Sequence, residues 1–423
     1  VEAALPVISL IALVIVVVLS IVTNVNVGAM ALAAVLIVGY FIGGQEVGDL
    51  IKGFPIDLFI MLAGVTYLFS IASVNGTMDK IAMQATKAVR GNTALLPIIF
   101  FFVAFFISAI GPGQITTSAL MAPAAMALAA EVGISPLLMA LVVGNGAQAG
   151  AMSPLAPPGI IVAGLTKEMG LTGVSGILWL NMLIAHVIVA LIAYLVFGGI
   201  QLWRKKNTGE LKSLQAIQVE PFTSNQIITI IGILALVIMA VFFKVHIGLG
   251  AFLVGIVLAI LKVGDEGKAI KSMPWATIVM VTGVTVLVKM MSDIGGMDLF
   301  ASIIASVSTP GTVTLVAGFI SGIVSAYAST TGVILPAFVP LAPSLVEQLG
   351  GIPDLMAVLS SIIVCGFLTD LSPLSTTGAL FLGAAPEQTD KTKLFRDMLI
   401  WGLSMSVVGA VVVWLLFGVI GLP

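Results

Sequence analysis

The chain has 423 residues, 60% of them hydrophobic and only 9% charged, with a net charge of −2. Soluble domains carry about 25% charged residues, so a soluble or nucleic-acid-binding protein is excluded, and the many long apolar runs point to membrane helices rather than a barrel. One cysteine, Cys365, excludes an internal disulfide, and two histidines, His186 and His246, leave no basis for a histidine-rich metal site.

In chain order, the first half gives apolar spans at Leu5–Val22, Val27–Ile42 and Leu58–Val74. Leu5–Val22 reads as a span and not a signal peptide, since no basic stretch precedes it; what precedes Val1 is open. Next comes GPGQITTS, Gly111 to Ser118, flanked by Thr93–Ile110 and Ala119–Ala130. Each flank is short of the ~20 residues of a full span. The stretch therefore reads as the tip of a re-entrant helical hairpin, since non-helical backbone at that depth must be buried in protein or reached by water. An interrupted span, Pro136–Leu165, follows, broken by GNGAQAGAMSPLAPPG (Gly144–Gly159), then a span at Ile177–Ile200. Residues 204–224 read as a polar, basic linker. The second half gives Ile227–Phe243, Ile247–Leu261 and Ile278–Met291, then a hairpin at Thr312–Gln348 with its polar tip in SAYASTTGVILP. A broken span, Leu355–Gly383, is interrupted at GFLTDLSPLSTTG, and Met398–Ile420 is last.

The halves repeat. Pro55–Ala82 and Pro274–Ala301, 219 residues apart, share eleven identities in 28 positions, and SPL recurs at Ser153–Leu155 and Ser372–Leu374. The expected fold is an all-α membrane protein of two repeats, each with five spans plus one re-entrant hairpin. The repeats cover residues 1–203 and 225–423, joined by the linker. Five is odd, so the second copy is expected to be inverted in the membrane. Thirteen of the 17 Lys and Arg fall on the linker side of that topology. This side is then cytoplasmic and both termini are external, by the positive-inside rule.

The chemistry is expected at the two tips and the two breaks. Helix N-termini aimed at one point bind an anion without arginine, and no Lys or Arg lies in the four stretches. The candidate anion-binding residues are Gln114, Thr116, Thr117, Ser153, Ser329, Thr330, Thr331, Ser375, Thr376 and Thr377. Unwound carbonyls and helix C-terminal ends can hold a small cation. The candidate cation ligands are Gly111, Gly113, Asn145, Gln148, Ser325, Asp370 and Ser372. Asp370 is the one carboxylate inside a broken span and stands opposite Ala151 in the other half. It is read as a cation ligand or proton carrier, against the plainer reading of a cap on the following half-helix. His186 reads as a satisfied packing residue and Lys289 as an interfacial side chain.

These residues resemble the ion transporter superfamily. Within it the chain is similar to MatC-type dicarboxylate (malonate) carriers and, more distantly, to divalent anion/sodium symporters. The resemblance rests on the hairpin tips and on SPLAPPG (Ser153–Gly159) and SPLSTTG (Ser372–Gly378). It implies carboxylate substrates, cation coupling, a transport domain sliding past a scaffold, and a homodimer. The symporters carry Ser-Asn-Thr at both tips, whereas here the tips read GQITTS and ASTTG. Sodium and proton coupling are therefore both open. The expected function is secondary active transport of a small dicarboxylate by an elevator mechanism, in a bacterial-type inner membrane, without cofactor, catalysis or nucleic-acid partner. An anion channel and a sodium/proton antiporter of the same superfamily are the alternatives.

Overall fold

The computed structural model describes residues 4–23, 25–87, 93–204 and 220–422, and among these every regular element is a helix. Most of the expected linker, with Lys205, Lys206 and Lys212, lies outside the described residues, as does Arg90. Seven helices among the described residues are long and apolar enough to cross a membrane, so the chain is a multi-pass membrane protein.

The first half runs α1 (Leu5–Thr23), α2 (Val27–Ile42), α3 (Val47–Lys52), α4 (Ile56–Val74) and α5 (Thr77–Lys87). It continues with α6 (Leu96–Ala109), α7 (Gly113–Val132), α8 (Pro136–Ala151), α9 (Pro157–Glu168), α10 (Ser175–Val196) and α11 (Gly199–Arg204). The second half runs α12 (Ser224–Phe242), α13 (Ile247–Ile260), α14 (Glu266–Ser272), α15 (Trp275–Asp293) and α16 (Gly296–Ser306). It ends with α17 (Val313–Ser325), α18 (Thr330–Gln348), α19 (Leu355–Thr369), α20 (Thr376–Gly383) and α21 (Lys391–Val419). The offset of 219 read from the sequence recurs in the elements themselves. It separates the first residues of α1 and α12, α3 and α14, α4 and α15, α5 and α16, α8 and α19, and α9 and α20.

Local chemistry explains these starts. Ser135 and Asp354, themselves 219 apart, cap α8 and α19 by accepting from the amides of Leu138 and Met356. Such caps satisfy donors that an isolated helix end leaves unpaired. The α9 helix opens on Pro157 and Pro158, where a missing N–H does no harm.

Two packed groups of helices result. In one, α4 lies against α13 and α15 lies against α2, so each half lends a helix to the other. Glycine makes these crossings close: a Cβ on Gly64 would stand 2.1 Å from the Gly248 carbonyl, and one on Gly283 would stand 2.2 Å from that of Gly28. Where lipid offers no hydrophobic contrast, such backbone approach drives helix association. In the other group α8 packs on α6, α7 and α10, while α19 packs on α17 and α21. The two clusters join through α7 against α20 and α10 against α19. The closing spans α10 and α21 thus pack with the hairpins and broken helices, not with the remaining spans. The groups meet where α4 touches α9 and where α15 touches α18.

The first hairpin differs from its expected form. Only Ile110–Pro112 turns; the GQITTS stretch is already helical, so α7 has 20 residues. It is therefore long enough for ~30 Å of hydrocarbon. The partner arms remain short: α6 has 14 residues and α17 has 13, or about 20 Å each.

Candidate functional site

Both tips press on the neighbouring group of helices. Gly111 has φ +146°, and a Cβ there would fall 1.9 Å from the ring of Phe69 on α4. At the second tip a Cβ on Gly332 would fall 2.1 Å from the Met280 sulfur on α15. At Gly111 the positive φ itself calls for glycine, whereas Gly332 faces only the movable end of the Met280 side chain. The tips also touch each other: buried Gln114 at the start of α7 donates from Nε2 to Thr331 Oγ1 at 3.0 Å.

The two breaks share a geometry. A Cβ on Gly159 would stand 2.0 Å from the Ser153 carbonyl, and one on Gly378 would stand 2.0 Å from that of Ser372. This explains the glycine that closes SPLAPPG and SPLSTTG. Ser153 Oγ donates to the Ala109 carbonyl at 2.6 Å, tying the first break to the end of α6. Ser325 Oγ donates to the Gly366 carbonyl at 2.7 Å, tying the end of α17 to α19.

Around Gly366 and Asp370 oxygens gather. Thr330 Oγ1 and Thr369 Oγ1 reach the Gly366 carbonyl at 3.2 and 2.9 Å, and Ser325 and Thr330 hydroxyls are 2.6 Å apart. One turn on, buried Asp370 accepts from Thr377 Oγ1 at 2.9 Å, while its backbone carbonyl bonds the Ser375 hydroxyl. The cap of α20 is Ser375, which accepts from the Gly378 amide. Asp370 instead closes α19, so the plainer reading of it as a cap on the next half-helix does not hold. Hydroxyls, a carbonyl and one carboxylate form a set for a hard cation. Among the described residues no three His, Cys, Asp or Glu side chains converge as they would for a transition metal.

Next to this cluster lies a pocket of about 450 Å³ lined by Ser329, Ser375 and Thr376, with Tyr327 at its edge. Its far wall is Asn26 at the start of α2 and Met280 of α15. Ser329 caps α18 and Ser375 caps α20. Two helix N-termini therefore open on one pocket, each with a partial positive charge, and none of its lining side chains is charged.

Other expected site residues stand apart from that pocket. Thr116 lies on the exposed side of α7, while Thr117 and Ser118 are buried without a hydrogen-bond partner. Asn145 donates to the Leu141 carbonyl of its own helix, and its Oδ1 is unpartnered. The Ser372 hydroxyl accepts from the Leu374 amide. Gln148 faces His186 Nε2 at 3.2 Å, and His186 Nδ1 lies 2.9 Å from the Met182 carbonyl. A neutral imidazole donates once; the Gln148 atom facing Nε2 is Oε1, an acceptor, so with Nδ1–H on Met182 the Gln148 amide must turn over for its unpartnered Nε2 to donate to the ring. His186 is thus the packing residue expected. Asn26 and Met280 were not legible as site residues, although a polar Asn between two apolar runs marks the start of α2. It accepts from the Gly28 amide and donates to the Ala276 carbonyl at 2.8 Å.

Residues 4–151, α1 to the end of α8, match the family model described as dicarboxylate carrier protein MatC N-terminus. The chain is therefore similar over about a third of its length to MatC-type dicarboxylate carriers, as the motifs implied. No curated protein matches it.

Proposed function

We propose that the protein is a secondary active transporter of a small dicarboxylate, such as malonate or a C4-dicarboxylate, coupled to sodium or protons. One observation carries this reading: the capped starts of α18 and α20 open on a single uncharged, hydroxyl-lined pocket between two groups of helices. Helix ends and hydroxyls suit carboxylate oxygens. A volume of about 450 Å³ suits a small organic anion. Ser329, Ser375 and Thr376 bind the carboxylates, and Gln114 and Thr331 hold the two tips together.

A dianion entering against an inside-negative potential faces ~2.3 kcal/mol per charge per 100 mV, so a co-transported cation supplies the drive. Ser325, Thr330, the Gly366 carbonyl and Asp370 form its site in the second half. In the first half the unpartnered Asn145 Oδ1 and the hydroxyls of Thr117 and Ser118 are the oxygens available for a second cation. Alternating access follows from the group containing α6–α10 and α17–α21 sliding past the group containing α1–α5 and α12–α16. In this reading the halves are inverted repeats, residues 1–203 and 225–423. The hairpins are re-entrant from opposite faces, and the protein is a homodimer. It sits in a bacterial-type inner membrane with its linker cytoplasmic and its termini external.

Counterflow in proteoliposomes tests the reading. Labelled malonate or succinate should exchange saturably, and net uptake should require an inward sodium or proton gradient. Absence of exchange for every dicarboxylate, or non-saturating flux typical of a channel, would overturn it.

A further inference from the structure

The polar pocket does not end at its polar residues. Ile21 and Tyr327 also line a second space of about 460 Å³, between α1 on one side and α17 and α18 on the other. Apart from Tyr327, every side chain lining that groove is apolar, among them Leu13, Val17, Phe300, Ile320 and Phe338. Along α1 it runs from Leu13 to Ile21, about 12 Å at 1.5 Å per residue. Tyr327 stands at the junction, 43% exposed, with an apolar ring and a polar tip. An anion seated at Ser329, Ser375 and Thr376 therefore has a hydroxyl-lined pocket for its carboxylates and an adjoining apolar channel of similar volume.

We infer that this site takes dicarboxylates bearing an apolar substituent, with the carboxylates at Ser329, Ser375 and Thr376 and the substituent in the groove between α1 and α17. The inference rests on the transport reading given above and names the substrate class of that same pocket. Malonate has no apolar substituent to reach the groove that shares Ile21 and Tyr327 with the pocket. A substituent on its central carbon adds apolar contact without removing a carboxylate from the helix ends, so affinity rises with chain length until the groove is full.

A homologous series measures this: malonate, methylmalonate, butylmalonate and octylmalonate, each competing with labelled malonate for counterflow by the purified protein in proteoliposomes. The half-inhibitory concentration should fall about threefold to fourfold per methylene buried, then level off. Val17→Trp and Ile320→Trp, which narrow the groove from opposite walls, should each flatten the series. A flat series in the unmodified protein, with malonate exchange intact, overturns this inference and leaves the transport reading standing. A slope that survives both variants overturns it too, since the gain then comes from partition into lipid or the groove holds a bilayer acyl chain. Absence of exchange for malonate overturns this inference, and absence of exchange for every dicarboxylate removes the transport reading with it.

Discussion

Gln114 and Thr331, 217 residues apart, are joined by one buried hydrogen bond of 3.0 Å between the starts of α7 and α18. It is a direct side-chain link between the two hairpin tips. Losing either partner strands the other in an apolar interior, at a cost of ~1–3 kcal/mol. Gln114→Leu and Thr331→Val should each lower thermal stability in detergent, and the double variant should lose less than the sum. A double-mutant cycle giving no coupling would show that the bond does not hold the tips together.

Asp370→Asn keeps an oxygen that can accept from Thr377, so the fold should survive. It removes the carboxylate proposed above as a cation ligand. Losing a charged ligand worth at least ~1.4 kcal/mol lowers apparent cation affinity about tenfold. Uptake measured against cation concentration should shift by that factor or lose cation dependence altogether. Unchanged coupling would reduce Asp370 to a structural acceptor for Thr377.

Thr376 lines the pocket at the start of α20. A hydrogen bond to a charged carboxylate contributes about 1.5–3 kcal/mol, so Thr376→Ala should raise the substrate concentration for half-maximal uptake at least tenfold. Thr376→Ser, which restores the hydroxyl, should recover most of it. Equal loss in both variants would point to packing as the role of Thr376.

Gly159→Ala and Gly378→Ala should each abolish uptake and destabilise the protein. A methyl at either position falls on a serine carbonyl of the break loop at 2.0 Å, and backbone cannot move aside as a side chain can. Overpacking of this kind costs ~1–3 kcal/mol. Gly176, with open space around it, is the control: Gly176→Ala should retain both stability and uptake. Tolerance at Gly159 and Gly378 would mean that the breaks are plastic.

The sliding reading makes Asp57 and Lys167 a probe. Asp57 on α4 and Lys167 on α9 pair at 2.8 Å where the two groups of helices meet, and His246 Nε2 reaches Asp57 at 2.7 Å. Their side chains are 45% and 64% exposed, so the pair itself contributes only ~0–1 kcal/mol and can be replaced. Cysteines at both positions, in a Cys365→Ala background, should crosslink and arrest transport until reduced. Full uptake by the crosslinked protein would rule out sliding at this interface.

Much of the molecule was fixed by local sequence. The helical class follows from apolar run lengths. The starts of α8 and α9 follow from Ser135, Pro157 and Pro158, and the second-half counterparts follow from Asp354 and Ser375. The offset of 219 was visible in the identities between Pro55–Ala82 and Pro274–Ala301, among which Gly64 and Gly283 make matching backbone contacts. Even the polar break loops were legible, because Gly, Pro and Ser act on the backbone within a few residues. Tertiary structure alone decided which of these features meet. GQITTS turned out helical because Gly111 (φ +146°) and Gly113 (φ +73°) take up the turn, Gly111 against Phe69. Gln114 found Thr331, Asn26 and Met280 became the far wall of the pocket, and α10 and α21 joined the hairpins. Lipid is as apolar as the protein core, so in helices such as α1 or α10 the hydrophobic pattern does not mark the buried face. Which side chains converge is then set by helix crossings, which a one-dimensional reading of apolar residues does not contain.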